Sequence, residues 1–260
     1  MLALTFGYLL AFAAQSPSQT TQSATLLQRA QSRAEQFATE FPSMACTERL
    51  EQLKLGDGSK VQERRDSEFD YLLLVDAAGG DFSVEESRLE KKHLKAPAQP
   101  LLSTTGFAVL LMIFLPRFAD SYHFEQLEPQ VLDGVKWARL SFEHLGTKDS
   151  PSVLEVSGRQ YPIPWKGIAW LDESTGQVRQ IEVDLREPLE DIGLVGLHSL
   201  VRYGATGAAS PVWLPLSAVI DARTRHQHWR NTHTFMGYRR FSVETESKVT
   251  QVKGDTTGKQ

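Results

Sequence analysis

His226-Gln-His228 is the pair in this chain best spaced for metal chemistry. On a β-strand the two imidazoles point to the same face, and a third ligand, His233 or Asp221, would complete a zinc set. Arg223, Arg225 and Arg230 crowd the pair, and cations disfavour a bound metal. The plainer reading is a polar, solvated strand near a turn, so neither a metal nor a cofactor is expected. Nucleophile chemistry has less support. There is no G-x-S-x-G elbow and no H-E-x-x-H. His198 and Ser199 are adjacent, and adjacent strand residues face opposite sides. Cys46, the only cysteine, has no recognisable basic partner. Gly204-Ala-Thr-Gly207 has neither the spacing nor the strand–helix setting of a phosphate loop. Glu85-Glu86 and Glu182/Asp184 could act as acid–base carboxylates, but they alternate with apolar residues as a solvated strand face does. Arg239-Arg240 beside Tyr238 could hold a phosphate or a headgroup; solvated strand arginines are the simpler reading. No catalytic residue can be named, and the sequence points away from an enzyme; a hydrolase is disfavoured for want of a nucleophile constellation.

The element that any site must be built on is clearer. Gly167–Leu185 reads as a β-hairpin with a polar turn, Glu173-Ser-Thr-Gly176. A four-residue loop places Asp172 opposite Gln177 and Ile168 opposite Ile181. Ile168 and Trp170 then share an apolar face with Ile181, Val183 and Leu185, while Gln180, Glu182, Asp184 and Arg186 face water. One buried and one wet face is the mark of an antiparallel sheet solvated on one side.

Further strands are expected at 46–55, 68–75, 81–89, 124–127, 136–145, 153–156, 196–203, 211–220, 223–234 and 235–249. Asp57-Gly58 and Gly79-Gly80 supply turns. Within 136–145, Ala138, Leu140 and Phe142 form the apolar set. Tyr71 and Leu73 belong to that of 68–75. Residues 24–41 read as an amphipathic helix with Leu27, Ala30, Ala34, Phe37 and Phe41 on one stripe, stopped by Pro42. Ser103–Leu115 reads as a second helix, capped by Ser103 or Thr104, apolar nearly all round and ended by Pro116. A helix of that kind is covered on both sides. Its alternative role is to line or close an apolar cavity. The elements together predict an α+β fold, a single curved antiparallel sheet (an unclosed half-barrel) wrapped over helices.

Composition bounds the rest. The chain has 260 residues, a net charge of −4, 23% charged and 41% hydrophobic residues. It shows no basic stripe of the kind nucleic acid requires. Residues 1–14 are almost wholly apolar, with Ala11-Phe-Ala13 as a cleavage signal, and read as a signal peptide; they are too few to span a bilayer. Residues 15–23 read as a linker, 24–248 as the folded domain and 249–260 as a flexible tail. No stable transmembrane segment is expected in the mature chain. Cys46 is expected to be a buried structural residue or one half of an intermolecular pair.

The order strand, D-x-x-T-G turn, strand, then Trp213-Leu-Pro215, then the aromatic closing segment Phe235-Met-Gly-Tyr-Arg-Arg-Phe-Ser242 carries a resemblance. Phe41-Pro-Ser-Met-Ala-Cys46, Gly106–Phe114 with Phe118 and Phe124, and Trp165–Asp172 add to it. Over residues 24–248 the chain resembles the lipoprotein-carrier superfamily, the LolA-like proteins and the related RseB-type sensor domains. The resemblance implies a periplasmic or secreted, non-enzymatic protein. Its partner would be a hydrophobic ligand, a lipid or an acylated protein, bound on the concave face of the sheet. The residues expected to line that face are Phe107, Leu110, Leu111, Phe114, Trp170 and Ile181. The alternative is an envelope protein-interaction or scaffold module with a filled core, no ligand and its sheet edge open to partners.

Overall fold

Alternating apolar and polar side chains organise most of the chain into strands. The computed structural model describes residues 18–40, 43–76, 83–90, 103–146, 149–156, 159–206 and 212–240. Its strands are β1 (Met44–Leu55), β2 (Val61–Asp76), β3 (Ser83–Glu90), β4 (Tyr122–Leu132), β5 (Val135–His144), β6 (Val153–Val156), β7 (Arg159–Pro162), β8 (Trp165–Leu171), β9 (Val178–Leu185), β10 (Leu194–Thr206), β11 (Val212–Thr224) and β12 (His228–Arg240). Ten of them form one antiparallel sheet in the order β3-β2-β1-β12-β11-β10-β9-β8-β5-β4, and β6 pairs with β7 alone. Among the described residues the sheet is not closed: β3 and β4 are its two edges. Early and late strands meet where β1 pairs with β12, Leu50 opposite His233 and Glu48 opposite Phe235. That single pairing joins the β1–β3 meander to the β8–β12 meander.

Most of the expected strands are present, several of them longer than the pattern suggested; the two expected at 223–234 and 235–249 are instead a single strand, β12, that follows a turn at 225–227, and β7 was not anticipated. The leader at 1–14, the tail at 249–260, Phe41, Phe241 and Gly79-Gly80 lie outside the described residues. The first helix, α1 (Ser18–Glu40), begins inside the stretch read as linker. Leu26, Ala30, Ala34 and Ala38 are its buried residues. These i, i+4 positions form one row, rotated slightly from the expected stripe, so that Leu27 and Phe37 sit at its margin, partly buried against the core.

The Gly167–Leu185 hairpin forms with the expected turn. Asp172 N–H donates to Gln177 O at 2.9 Å. The Asp172 Oδ1 accepts from the hydroxyl of Ser174 at 2.6 Å and from the backbone N–H and hydroxyl of Thr175 at 2.7 and 2.9 Å. This is the physical content of the D-x-x-T-G pattern: a carboxylate that ties the turn and a glycine at φ +73° that closes it.

Beyond the turn the register departs from the expected one. Leu171 faces Val178, but Trp170 faces Gln180, Ala169 faces Ile181 and Ile168 faces Glu182. Arg179 is the extra residue of a β-bulge, and one inserted residue reverses which face every preceding side chain takes. Trp165, Ala169 and Leu171 therefore join Ile181, Val183 and Leu185 in the core, and Ile168 and Trp170 turn to the other face. The bulge is held from outside: Arg179 Nη1 donates to Tyr203 O at 2.7 Å, and the Trp213 indole donates to Val178 O.

Residues 103–119 also differ from expectation. There is no continuous helix over 103–115. A 3₁₀ segment runs Val109–Phe114, and a short helix, α2 (Pro116–Ala119), starts at Pro116 rather than ending there. Leu115, at φ −61° and ψ 135°, is extended, as a residue before proline prefers to be, and proline suits the first helical position because its missing N–H has no partner there anyway. Neither Ser103 nor Thr104 caps the segment.

Candidate functional site

Five of the six residues expected to line the apolar face come together. Phe107, Leu110, Leu111, Phe114 and Ile181 share one buried cluster with the sheet and with Leu26, Ala30, Ala34 and Ala38 of α1. Trp170 does not join them. It lies on the opposite face, covered by polar neighbours, with its indole donating to Gln130 Oε1 at 3.0 Å. Phe107 packs its ring 4.6 Å from His233 and 5.6 Å from Phe235 on β12. Phe114 packs 5.8 Å from Phe124 on β4 and 6.5 Å from Phe142 on β5. On the sheet, β12 and β5 are five strand spacings apart, about 24 Å if flat. Seven residues at 3₁₀ rise span only about 14 Å. Curvature of the sheet toward the segment and the reach of the two rings close the difference. Leu110–Phe114 are all buried, so the apolar face is occupied by the chain itself.

One end of this segment is held by polar groups of the sheet. Glu86 on β3 accepts from the backbone N–H groups of Gly106, Phe107 and Ala108 at 2.7, 3.1 and 2.9 Å. The carboxylate of a neighbouring strand thus does what the expected Ser103 or Thr104 cap was to do. Tyr203 O–H donates to Phe107 O at 2.7 Å. Arg88 Nη2 donates to Thr104 O at 2.6 Å.

Beneath Thr104 lies a buried chain of side chains whose direction can be read step by step. Gln52 Nε2 donates to Asn231 Oδ1 at 3.2 Å, which leaves the Asn231 amide nitrogen facing Thr104. Asn231 Nδ2 donates to Thr104 Oγ1 at 2.9 Å. The Thr104 hydroxyl proton is then free for His233 Nε2, 2.9 Å away. With Nε2 accepting, the ring proton sits on Nδ1 and is donated to Glu48 Oε1 at 2.6 Å. Arg88 completes the chain with hydrogen bonds to both Glu48 oxygens, Nη2 to Oε1 at 2.7 Å and Nε to Oε2. Gln52, Glu48, Asn231 and His233 are buried. Each is satisfied by the next, as buried polar groups must be.

Burial alone would raise the Glu48 carboxyl, but hydrogen bonds from His233 and Arg88 outweigh it and hold the group below the ordinary carboxylate range. Burial is the main force on His233 and keeps it below the ordinary imidazole value, against the pull of Glu48. Both shifts are depressions, so both give stability that is present above the unfolded-state value and lost as pH falls: first as His233 of the unfolded chain takes up its proton below about pH 6.5, then as Glu48 protonates. The urea midpoint is expected to drop between about pH 7.5 and about pH 5, and the drop should be shallower in His233→Phe. An unchanged midpoint in the wild type over that range would show that His233 is not buried neutral.

The His226–His228 pair does not assemble a ligand set. His228 Nε2 meets Asp221 Oδ1 at 2.6 Å, and Asp221 is shared with Arg230 at 2.7 Å, whereas His233 points into the core. Among the described residues no group of three or more His, Cys, Asp or Glu side chains is placed to hold a metal. Cys46 is buried and unbridged, and burial chiefly pushes its thiol up to about 12, which leaves it unreactive at neutral pH.

No family model and no curated protein matches the sequence. Solved structures align with the chain at low identity. A LolA superfamily protein from Nitrosomonas europaea aligns over 85% of this chain and 94% of its own, at 10% identity and a TM-score of 0.41. A domain described as an outer membrane lipoprotein-sorting protein, from Vibrio parahaemolyticus, aligns over 86% and 95% at 10% identity and a TM-score of 0.46. A DUF1329 family protein from Desulfovibrio piger aligns over 86% and 95%, at 11% identity and a TM-score of 0.44.

Sequence reading singled out Thr104 as a helix cap and His233 as a candidate metal ligand, but it linked neither to Glu48, Gln52 or Asn231. Glu48, Thr104 and His233 lie far apart in sequence, and no spacing rule links them. The one available signal was local: Glu48, Gln52, Asn231 and His233 stand at positions where strand alternation calls for an apolar residue.

Proposed function

We propose that this protein is a binding module that takes a hydrophobic chain, a lipid acyl group or an acylated partner, on the apolar face of its open sheet. The observation that carries this reading is the occupant of that face. Phe107, Leu110, Leu111 and Phe114 come from a short 3₁₀ segment, not from a long helix, and pack against Ile181 within the same buried cluster. The segment is anchored by hydrogen bonds at its 104–108 end, and at the other end Phe114 packs on Phe124 and Phe142. A ligand with similar apolar chemistry would compete for the same surface, and the exchange would cost little net buried area. The leader-like residues 1–14 support a periplasmic or secreted location. We read the protein as a carrier or sensor, in keeping with the resemblance in its sequence.

The two sheet edges argue against the rival in which an exposed edge recruits partners. β3 carries Glu85, Glu86, Arg88 and Glu90, and β4 carries Pro129 at a break in register between Leu127 and Gln130. Charge, proline and bulges are the devices that blunt strand edges.

Titration of delipidated protein with a fluorescent fatty-acyl probe tests the reading, together with hydrogen exchange of residues 107–115. Saturable uptake with faster exchange in that segment is expected. Trp170→Phe should bind as the wild type does, because Trp170 lies on the other face. No uptake, with exchange unchanged, would favour the filled-core interaction module instead.

A further inference from the structure

The buried polar chain has the parts and the polarity of an acyl-transfer centre, and the geometry points to Thr104, His233 and Glu48 as a nucleophile, base and positioning carboxylate that cleave carboxylic esters. A triad is recognised by geometry and role, not by sequence position. The nucleophile-to-base distance is 2.9 Å and the base-to-carboxylate distance 2.6 Å, both within the range such a centre needs. The direction of the hydrogen bonds matters more than their lengths. Gln52 fixes the Asn231 amide, and the amide can only donate to Thr104. The Thr104 proton is thereby aimed at His233 Nε2, and the ring is held as the tautomer with its proton on Nδ1 against Glu48. This is the protonation state a general base must have before it accepts the hydroxyl proton.

Thr104 is half-buried between exposed Ser103 and Thr105, and so stands at the outer end of a chain whose His233 and Glu48 are buried. The Asn231 amide, 2.9 Å from Oγ1, is the donor best placed to move onto the carbonyl oxygen as charge develops there. The N–H groups of residues 106–108 are already held by Glu86 and do not serve. In the first step Thr104 Oγ1 bonds to the ester carbonyl carbon and its proton passes to His233 Nε2. The bond to the alcohol oxygen breaks, and the alcohol leaves with that proton. Water then attacks the acyl-Thr104 ester, gives a proton to His233, and releases the carboxylic acid as the proton returns to Oγ1. No other reactant is required.

The groups facing His233 are Glu48 and Arg88; Tyr71, Tyr238 and Cys46 interact with the same carboxylate, and Glu86 lies beyond the two tyrosines. Because burial holds His233 below its ordinary value, the acid limb of the rate should lie below about pH 6.5. The inference does not depend on the apolar face being emptied. An acetyl ester needs no acyl-chain site, so failure of this test and failure of lipid uptake are separate results.

The full chain should hydrolyse p-nitrophenyl acetate above the buffer rate and take one equivalent of a fluorophosphonate probe on Thr104, read by peptide mass spectrometry. Thr104→Val, nearly isosteric, should lose both. Thr104→Ser, with a less hindered hydroxyl, should be faster than the wild type, which keeps the test alive if the valine variant fails to fold. His233→Gln should lose about 10²–10⁴-fold in rate. Glu48→Gln should move the acid limb as well as stability, whereas a purely structural role would move stability alone. Folded wild type with neither turnover nor label, label on another residue, or full activity in Thr104→Val would each overturn the assignment.

Discussion

Arg88→Ala is expected to destabilise the protein by about 3–5 kcal/mol, the cost of leaving a buried charge without its partner. Glu48 is fully buried, whereas the Arg88 side chain retains 13% exposure, so the mutation strands a carboxylate that water cannot reach. His233 alone would remain to satisfy it. The same change removes the donor to Thr104 O, and the 103–108 stretch should loosen with it. Arg88→Lys should recover little, since a single ammonium lacks the planar fork that spans both Glu48 oxygens and the carbonyl. The double variant Glu48→Leu/Arg88→Met should be milder than Arg88→Ala, because it removes the charge along with its partner. Chemical denaturation at neutral pH measures all three. A loss in Arg88→Ala below about 1 kcal/mol, the scale of an exposed pair, would mean that the pair is solvated.

Gly176→Ala is expected to cost about 2–5 kcal/mol, the sum of a left-handed backbone and an overpacked contact. Gly176 has φ +73°, and a Cβ there would come within 2.5 Å of the Arg29 carbonyl carbon and 2.6 Å of the Ala30 nitrogen. Those are backbone atoms of α1, which cannot swing aside as a side chain can. The helix would have to lift, and with it the Arg33 Nε bond to Thr175 O at 3.2 Å. Gly134 is the control: its φ is +77° with nothing near a Cβ, so Gly134→Ala should show the conformational cost alone. Thermal unfolding of the two variants side by side separates the terms. Equal losses would show that α1 does not rest on the β8–β9 turn.

Much of the sheet was legible because strand alternation is a local signal. Ala138, Leu140 and Phe142 face inward as their spacing requires, and the Asp172–Gly176 turn forms from its own side chains. The register beyond that turn was not legible. One extra residue, Arg179, is admitted because Tyr203 and Trp213, from strands beyond the hairpin, bind the backbone and side chain of the bulge. Trp170 was assigned to the wrong face for that reason alone. Residues 103–115 were legible as buried but not as 3₁₀, since their cap comes from Glu86 on another strand and their break from the conformation that Pro116 imposes on Leu115.

The candidate site divides in the same way. Phe107, Leu110, Leu111 and Phe114 announce burial by composition. Gln52, Asn231, His233 and Glu48 show only as polar residues at inward strand positions, and nothing local links them to Thr104 until β1, β12 and the 104–108 stretch are brought into contact. Local chemistry, set by neighbours one to four residues away, determined the strands, the turn and the apolar character of the central segment. The tertiary structure decided the hairpin register, through Tyr203 and Trp213 on β10 and β11, the anchoring of that segment, through Glu86 on β3, and the order of the buried hydrogen bonds, whose groups meet only when β1 pairs with β12.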